Sequence, residues 1–288
     1  MPQITLEQGS ILYREAGPQE GPAVLLVHGI LVDGRIWDRV IPLLAAAGLR
    51  VVVPDLPLGC HRLPLAPGAD LSPGGVGAMI GDLLEALDLH DVTVLANDSG
   101  GAFTQVFMAS GHPASARVRA LVLAAVDALE LFPPKAFRGL EPLGRARFGP
   151  ALIARVLGAA GPRRLLYRAV SRAGIPDALT SSWVEPLRTD PAILRDLAKI
   201  LSHHHRRWTL DAAGRLGGFH GPVLLVWPPR DPFFPPDLAV RLAACFRGAR
   251  IAWLDGTRVF LQWDRPEALA GLVAGLVEEH AARPPVPA

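Results

Sequence analysis

Short apolar runs recur along the chain at residues 11–14, 23–27, 50–53, 92–95, 119–124, 223–227 and 250–254. They are rich in Val and Leu and bounded by Gly, Pro or Asp, which predicts strands. Their apolar character is continuous rather than alternating, as in strands covered on both faces of a parallel sheet. Between them the apolar positions take helical spacing, predicting helices over 37–47, 75–87, 102–110, 235–246 and 266–280. Strands and helices in alternation predict a doubly wound α/β sheet. One stretch breaks the alternation. Residues 127–218 read as helix, interrupted at Pro133-Pro134, Gly161-Pro162 and Gly174-Ile175-Pro176. The expected organisation is a core over 1–126, an inserted helical cap over 127–218, and the rest of the core over 219–288.

Composition narrows the partners. Half of the 288 residues are apolar, enough for a full core, and the net charge of +2 gives no reason to expect a nucleic-acid partner. The charge is unevenly spread: 127–218 carries 15 basic and 8 acidic residues. That segment reads either as a cap steering an anionic substrate or as a solvated arginine-rich surface, and the second reading is preferred. Cys60 and Cys245 imply no disulfide framework. No signal-like opening and no apolar run of membrane-spanning length are visible, so a cytoplasmic monomer or homodimer with no membrane partner is expected.

The candidate chemistry centres on Ala96-Asn97-Asp98-Ser99-Gly100-Gly101, between a predicted strand and a predicted helix. This is the setting of a nucleophile elbow, a strained turn that exposes one reactive side chain. Small residues are needed two positions to either side, where strand and helix nearly touch. Asp98 has Ala96 and Gly100 there; Ser99 would have the bulkier Asn97. Asp98 is therefore the expected nucleophile, and its chemistry is carboxylate attack through an ester. The letters Asp98-Ser99-Gly100-Gly101 also occur in chymotrypsin-type proteases, but those are antiparallel barrels.

In open α/β sheets, ligands bind beyond the carboxyl ends of the strands. There the sequence places His28-Gly29-Ile30, Asp98, Asp127, Asp231 and Asp255. The backbone N–H groups of Ile30 and Ser99 are candidates for an oxyanion hole. No metal or other cofactor is expected. His28-Gly29, the Asp98 elbow, Asp231 after the penultimate strand and Asp264-Arg265-Pro266-Glu267 opening the last helix together resemble the α/β-hydrolase fold over nearly the whole chain. The elbow is similar to that of the haloalkane dehalogenase and epoxide hydrolase branch. The resemblance implies Asp98 as nucleophile, Asp231 as the acid of a triad and 127–218 as a cap. It also implies a histidine in the loop after the last strand, seven residues before Pro266, where this chain has Val259. No His occurs in 255–263, and one tyrosine, Tyr167, lies in the cap.

His28, Asn97, Asp127, Tyr167 and Val259 are the remaining pocket candidates. His28 is expected to bond backbone. His203, His204 and His205 are expected at a solvated helix end, where one of them could still reach Asp98; His61, His90, His112, His220 and His280 read as loop or surface positions. Three functions stay open. Asp98 acts as nucleophile on a small, largely apolar substrate, or as general base in an elimination, isomerisation or cyclisation. Otherwise the protein binds a ligand without turnover.

Overall fold

The computed structural model describes residues 1–281. Eight strands form one sheet: β1 (Gln3–Leu6), β2 (Gly9–Ala16), β3 (Ala23–Val27), β4 (Arg50–Pro54), β5 (Val92–Asp98), β6 (Val118–Val126), β7 (Val223–Trp227) and β8 (Arg250–Trp253), in the order β1-β2-β4-β3-β5-β6-β7-β8. β2 pairs antiparallel with β1 and β4, and the other pairings are parallel. Every residue of β3 and β7 is buried, as their unbroken apolar runs require when helices cover both faces. β1 is absent from the sequence expectation. It is a short edge strand of mixed polarity in a hairpin with β2, and it lacks the apolar run used to find the others.

The helices are α1 (Ile41–Ala46), α2 (Pro73–Ala86), α3 (Ser99–Ala109), α4 (Leu140–Arg145), α5 (Gly149–Gly158), α6 (Ala160–Val170), α7 (Asp177–Thr189), α8 (Pro191–Ser202), α9 (Arg207–Ala213), α10 (Pro236–Ala243), α11 (Leu261–Asp264) and α12 (Pro266–Ala281). Local chemistry explains several starts. The Ser72 hydroxyl accepts from the Gly75 N–H ahead of α2, and the Asp190 carboxylate accepts from the Ala192 N–H ahead of α8. Proline holds the first turn of both. The helix expected over 37–47 is shorter and preceded by a 3₁₀ turn at Gly34–Trp37.

Six helices, α4 to α9, run between β6 and β7. Several buried bonds join them to the sheet's loops. Tyr167 Oη donates to the Leu31 carbonyl at 2.6 Å, and Trp183 Nε1 donates to Asp33 Oδ1 at 2.8 Å. His61 lies in a loop, as expected, but away from the surface: it is buried against the equally buried Asp196 of α8, 3.3 Å away. Asp196 also accepts from the Leu65 N–H and from Arg195, so the carboxylate repays its burial with four hydrogen bonds. No described helix is long and apolar enough to cross a membrane.

Candidate active site

The turn from β5 into α3 is as tight as the spacing predicts. Asp98 sits at φ 54°, ψ −137°, a left-handed conformation that costs a non-glycine residue roughly 1–3 kcal/mol. The turn closes because two glycines follow Ser99. A Cβ on Gly100 would come within 2.5 Å of the His28 carbonyl oxygen and 2.7 Å of that of Val27, and one on Gly101 would collide with Val126. A Cβ on Gly29 would collide with the Asp98 carboxylate itself, so the backbone of the β3 loop lies directly against that side chain.

Asp98 lines a cavity of about 60 Å³. Asp127, Tyr167 and His204 are its other polar walls, and Ile30, Leu31, Pro133, Pro134, Phe137, Leu140, Leu166, Val170 and Phe260 are the apolar ones. Loss of water around it pushes the Asp98 carboxyl up to about 7; a hydrogen bond from the Ser99 N–H opposes the rise and the nearby Asp231 adds to it. Asp127 is buried beside it, and burial followed by the charge of Asp98 drives its carboxyl well above the usual range. One Asp127 oxygen has no partner among the described residues.

The two expected oxyanion donors are already engaged within the chain. The Ile30 N–H donates to Ser99 Oγ at 2.8 Å, and the Ser99 N–H donates to the Asp98 carboxylate. They therefore tie down the elbow and its carboxylate. The Ser99 hydroxyl is buried in this bond and does not line the cavity.

The other candidates separate into wall and support. Asp127 and Tyr167 line the cavity, whereas His28, Asn97 and Val259 are buried outside its lining. His28 Nδ1 donates to the Gly29 carbonyl at 2.8 Å and its Nε2 accepts from the Leu56 N–H at 3.0 Å, so both nitrogens hold backbone. Asn97 is a clasp. Its Nδ2 donates to the carbonyls of Ala124 (2.6 Å) and Val259 (2.7 Å), and its Oδ1 accepts from Gln262 Nε2 at 2.7 Å. Asp231 Oδ1 accepts from the N–H groups of Phe233 and Phe234, while buried Oδ2 has no described partner; burial raises this carboxyl too. Asp255 is exposed.

His204 corrects the expectation of a solvated helix end. It is buried, 4.2 Å from Phe132 and 6.5 Å from Phe103 between ring centroids, and it faces the same cavity as Asp98. Burial pushes its imidazole down to about 3, so the ring is neutral at pH 7. The chain turns there immediately after α8, and that turn rotates His204 inward while His205 stays half-buried. Three adjacent histidines carry no sequence signal that distinguishes the inward one. No group of three or more His, Cys, Asp and Glu able to hold a metal occurs among the described residues.

Residues 22–252 match the family model described as the alpha/beta hydrolase fold. The chain belongs to the α/β hydrolase fold family. Among its relatives, the 2-hydroxy-6-oxononadienedioate/2-hydroxy-6-oxononatrienedioate hydrolase of Cupriavidus pinatubonensis is 24% identical over 278 residues, 94% of this chain and 92% of that protein. A haloalkane dehalogenase of Psychrobacter cryohalolentis is 34% identical over 109 residues, 38% of this chain and 36% of that protein. Of solved structures, an α/β hydrolase fold protein from Burkholderia ambifaria superposes with a TM-score of 0.79 at 25% identity, over 94% of this chain and 96% of that one. The haloalkane dehalogenase DbeA from Bradyrhizobium elkani superposes with the same TM-score at 20% identity, over 98% and 99%, a likeness of fold. Relatives named as hydrolases and dehalogenases support an α/β-fold hydrolase.

Proposed function

We propose that this α/β-hydrolase-fold protein is an enzyme in which Asp98 attacks a small, largely apolar electrophile. The observation that carries this reading is Asp98 itself: it combines the strained elbow backbone with a carboxylate lining a small, mostly apolar cavity. An Asp98 oxygen would form a bond to an electrophilic carbon as that carbon's bond to its leaving group breaks, giving an ester on the protein. The Ser99 N–H would hold the carboxylate in place during attack. Asp127 lines the same cavity, and burial beside Asp98 pushes its carboxyl well above the usual range toward the protonated form, which suits donation to a leaving oxygen. The partial relationship to a haloalkane dehalogenase is consistent with this chemistry. The helices of 127–218 would act as the cap over the cavity, admitting a small molecule and excluding bulk water.

A second reading draws support from the same two carboxyls. Asp98 near 7 and Asp127, whose carboxyl burial pushes well up, pair a base with an acid in one cavity, as an elimination or isomerisation needs. The loop after β8 has no imidazole to activate water, which favours chemistry that ends without hydrolysis.

A small reactive epoxide separates the readings. Under the nucleophile reading the intact mass rises by one epoxide, the adduct maps to Asp98, labelling accelerates as pH rises through about 7, and Asp98→Asn abolishes it. The ester persists: the loop after β8 supplies no base, His204 in the same cavity is pushed down to about 3 and is a weak one, and loss of an effective base slows hydrolysis by roughly 10²–10⁴. A protein that stays unlabelled by every small electrophile refutes the nucleophile and leaves the general base.

A further inference from the structure

We propose that the outer face of α5 and α6 docks on the surface of an anionic lipid bilayer. Residues 142–176 contain seven arginines and no Asp or Glu. Within this acid-free stretch the exposed apolar side chains are unusually large. Phe148 is 70% exposed, Leu152 52%, Val156 44% and Leu165 74%, four of the eight large exposed apolar residues among those described. Phe148, Leu152 and Val156 are spaced by four and share one side of α5, while Ile153, Ala154 and Leu157 face the protein. The helix is thus apolar toward the interior and apolar again toward the outside, where only a further partner would cover it.

The charges identify that partner as anionic. Arg145 pairs with Glu141, and Arg163 and Arg164 pair with Asp177, but none of the described ion pairs involves Arg147, Arg155, Arg168 or Arg172. Arg147 lies over the Phe148 ring, 5.1 Å from its centroid, so cation and aromatic ring are presented together. Exposed Phe and Leu among arginines is the pattern of a helix lying in the headgroup region, its apolar side chains reaching the acyl boundary and its cations on lipid phosphates. A groove of about 490 Å³ beside α6 is lined by four arginines, Arg164, Arg168, Arg172 and Arg258, against one carboxylate, Asp177, and has room for a headgroup phosphate. A second copy of this chain fits the same face poorly, since it would bring two arginine-rich surfaces together. The expectation of no membrane partner rested on the lack of a spanning segment, and surface docking needs none.

Sedimentation with vesicles tests the proposal on the full chain. Vesicles of phosphatidylcholine containing phosphatidylserine are expected to carry the protein down at about 0.1 M salt and release it as salt rises; pure phosphatidylcholine vesicles are expected to leave it in solution. Each arginine near an anionic surface contributes roughly fivefold, so Arg147→Ala with Arg155→Ala should weaken binding about 30-fold. Phe148→Ser with Leu152→Ser should weaken it at least about tenfold. All four positions are exposed, so melting temperature and labelling of Asp98 by an epoxide should stay at wild-type values; the fate of Asp98 chemistry is therefore read separately. Wild type that ignores anionic vesicles, binds neutral ones equally, or is indifferent to either double variant overturns the proposal. So does a concentration-dependent dimer that Phe148→Ser dissociates, which would mean that a second copy covers this face.

Discussion

At the scale of one residue, Asp98 carries two local costs at once: left-handed backbone, and a carboxylate deprived of water. Both fit a group held ready to react. They also make a prediction about stability. The carboxyl moves from an ordinary 3.8 to about 7 on folding, so the folded chain holds this proton more tightly than the unfolded chain. Its contribution favours folding below about pH 4 and is lost as pH rises to about 7. The loss is at most on the order of 4 kcal/mol. Asp98→Asn, neutral at every pH, should therefore be more stable than wild type above pH 7, by several degrees in melting temperature, and should lose that advantage near pH 4. Thermal unfolding of both proteins at pH 4 and pH 8 checks the sign.

At the scale of an element, the loop after β8 is held rather than free. Asn97 fastens it from below through the Val259 carbonyl and Gln262, and the Phe260 N–H donates to the Val170 carbonyl at the end of α6. Asn97→Ala would strip these buried bonds and leave carbonyls unpaired, costing about 3 kcal/mol. A fall in the urea midpoint, with Asp98 still labelled by an epoxide, is the expected result. The same geometry decides where an imidazole would work. Counting back from Pro266 points to Val259, but Phe260 is the loop residue that lines the Asp98 cavity. Phe260→His should therefore shorten the life of an Asp98 ester, while Val259→His should mainly destabilise the buried loop. Adduct half-lives measured by intact mass distinguish the two.

Across the whole molecule, the helices between β6 and β7 meet the rest of the chain at many polar fastenings. Asp264 is one of them. Its carboxylate accepts from Ser171 Oγ at 2.7 Å and from the N–H groups of Arg172, Ala173 and Arg258 at 2.8–3.0 Å. One side chain thus joins the turn after α6 to the loop after β8, beside the cavity wall formed by Val170 and Phe260. Asp264→Ala should release α6 without unfolding the sheet. Amide exchange is expected to speed up at least about tenfold in residues 166–175 and 256–263, while β3, β5 and β6 stay protected. Uniform acceleration along the chain would mean that the helices and sheet open as one unit.

The sheet was legible because its strands are buried on both faces, and burial on both faces writes an unbroken apolar run. The elbow was legible because its glycines are required: a Cβ on Gly100 would meet the end of β3 and one on Gly101 would meet Val126 of β6, and that requirement shows in six letters. The edge strand β1, half-exposed and of mixed polarity, left no such mark. What surrounds Asp98 was decided by tertiary structure alone. Whether an N–H is a free donor depends on what comes to meet it, and Ser99 Oγ reaches Ile30 across 69 residues. Whether a histidine is solvated depends on the direction of the chain at a helix end, and one turn after α8 buries His204 while His205 stays half-buried. Apolar periodicity records which face of an element is covered. It does not record which distant element covers it, and the polarity of the cavity, with the proton on each of its carboxyls, follows from that covering.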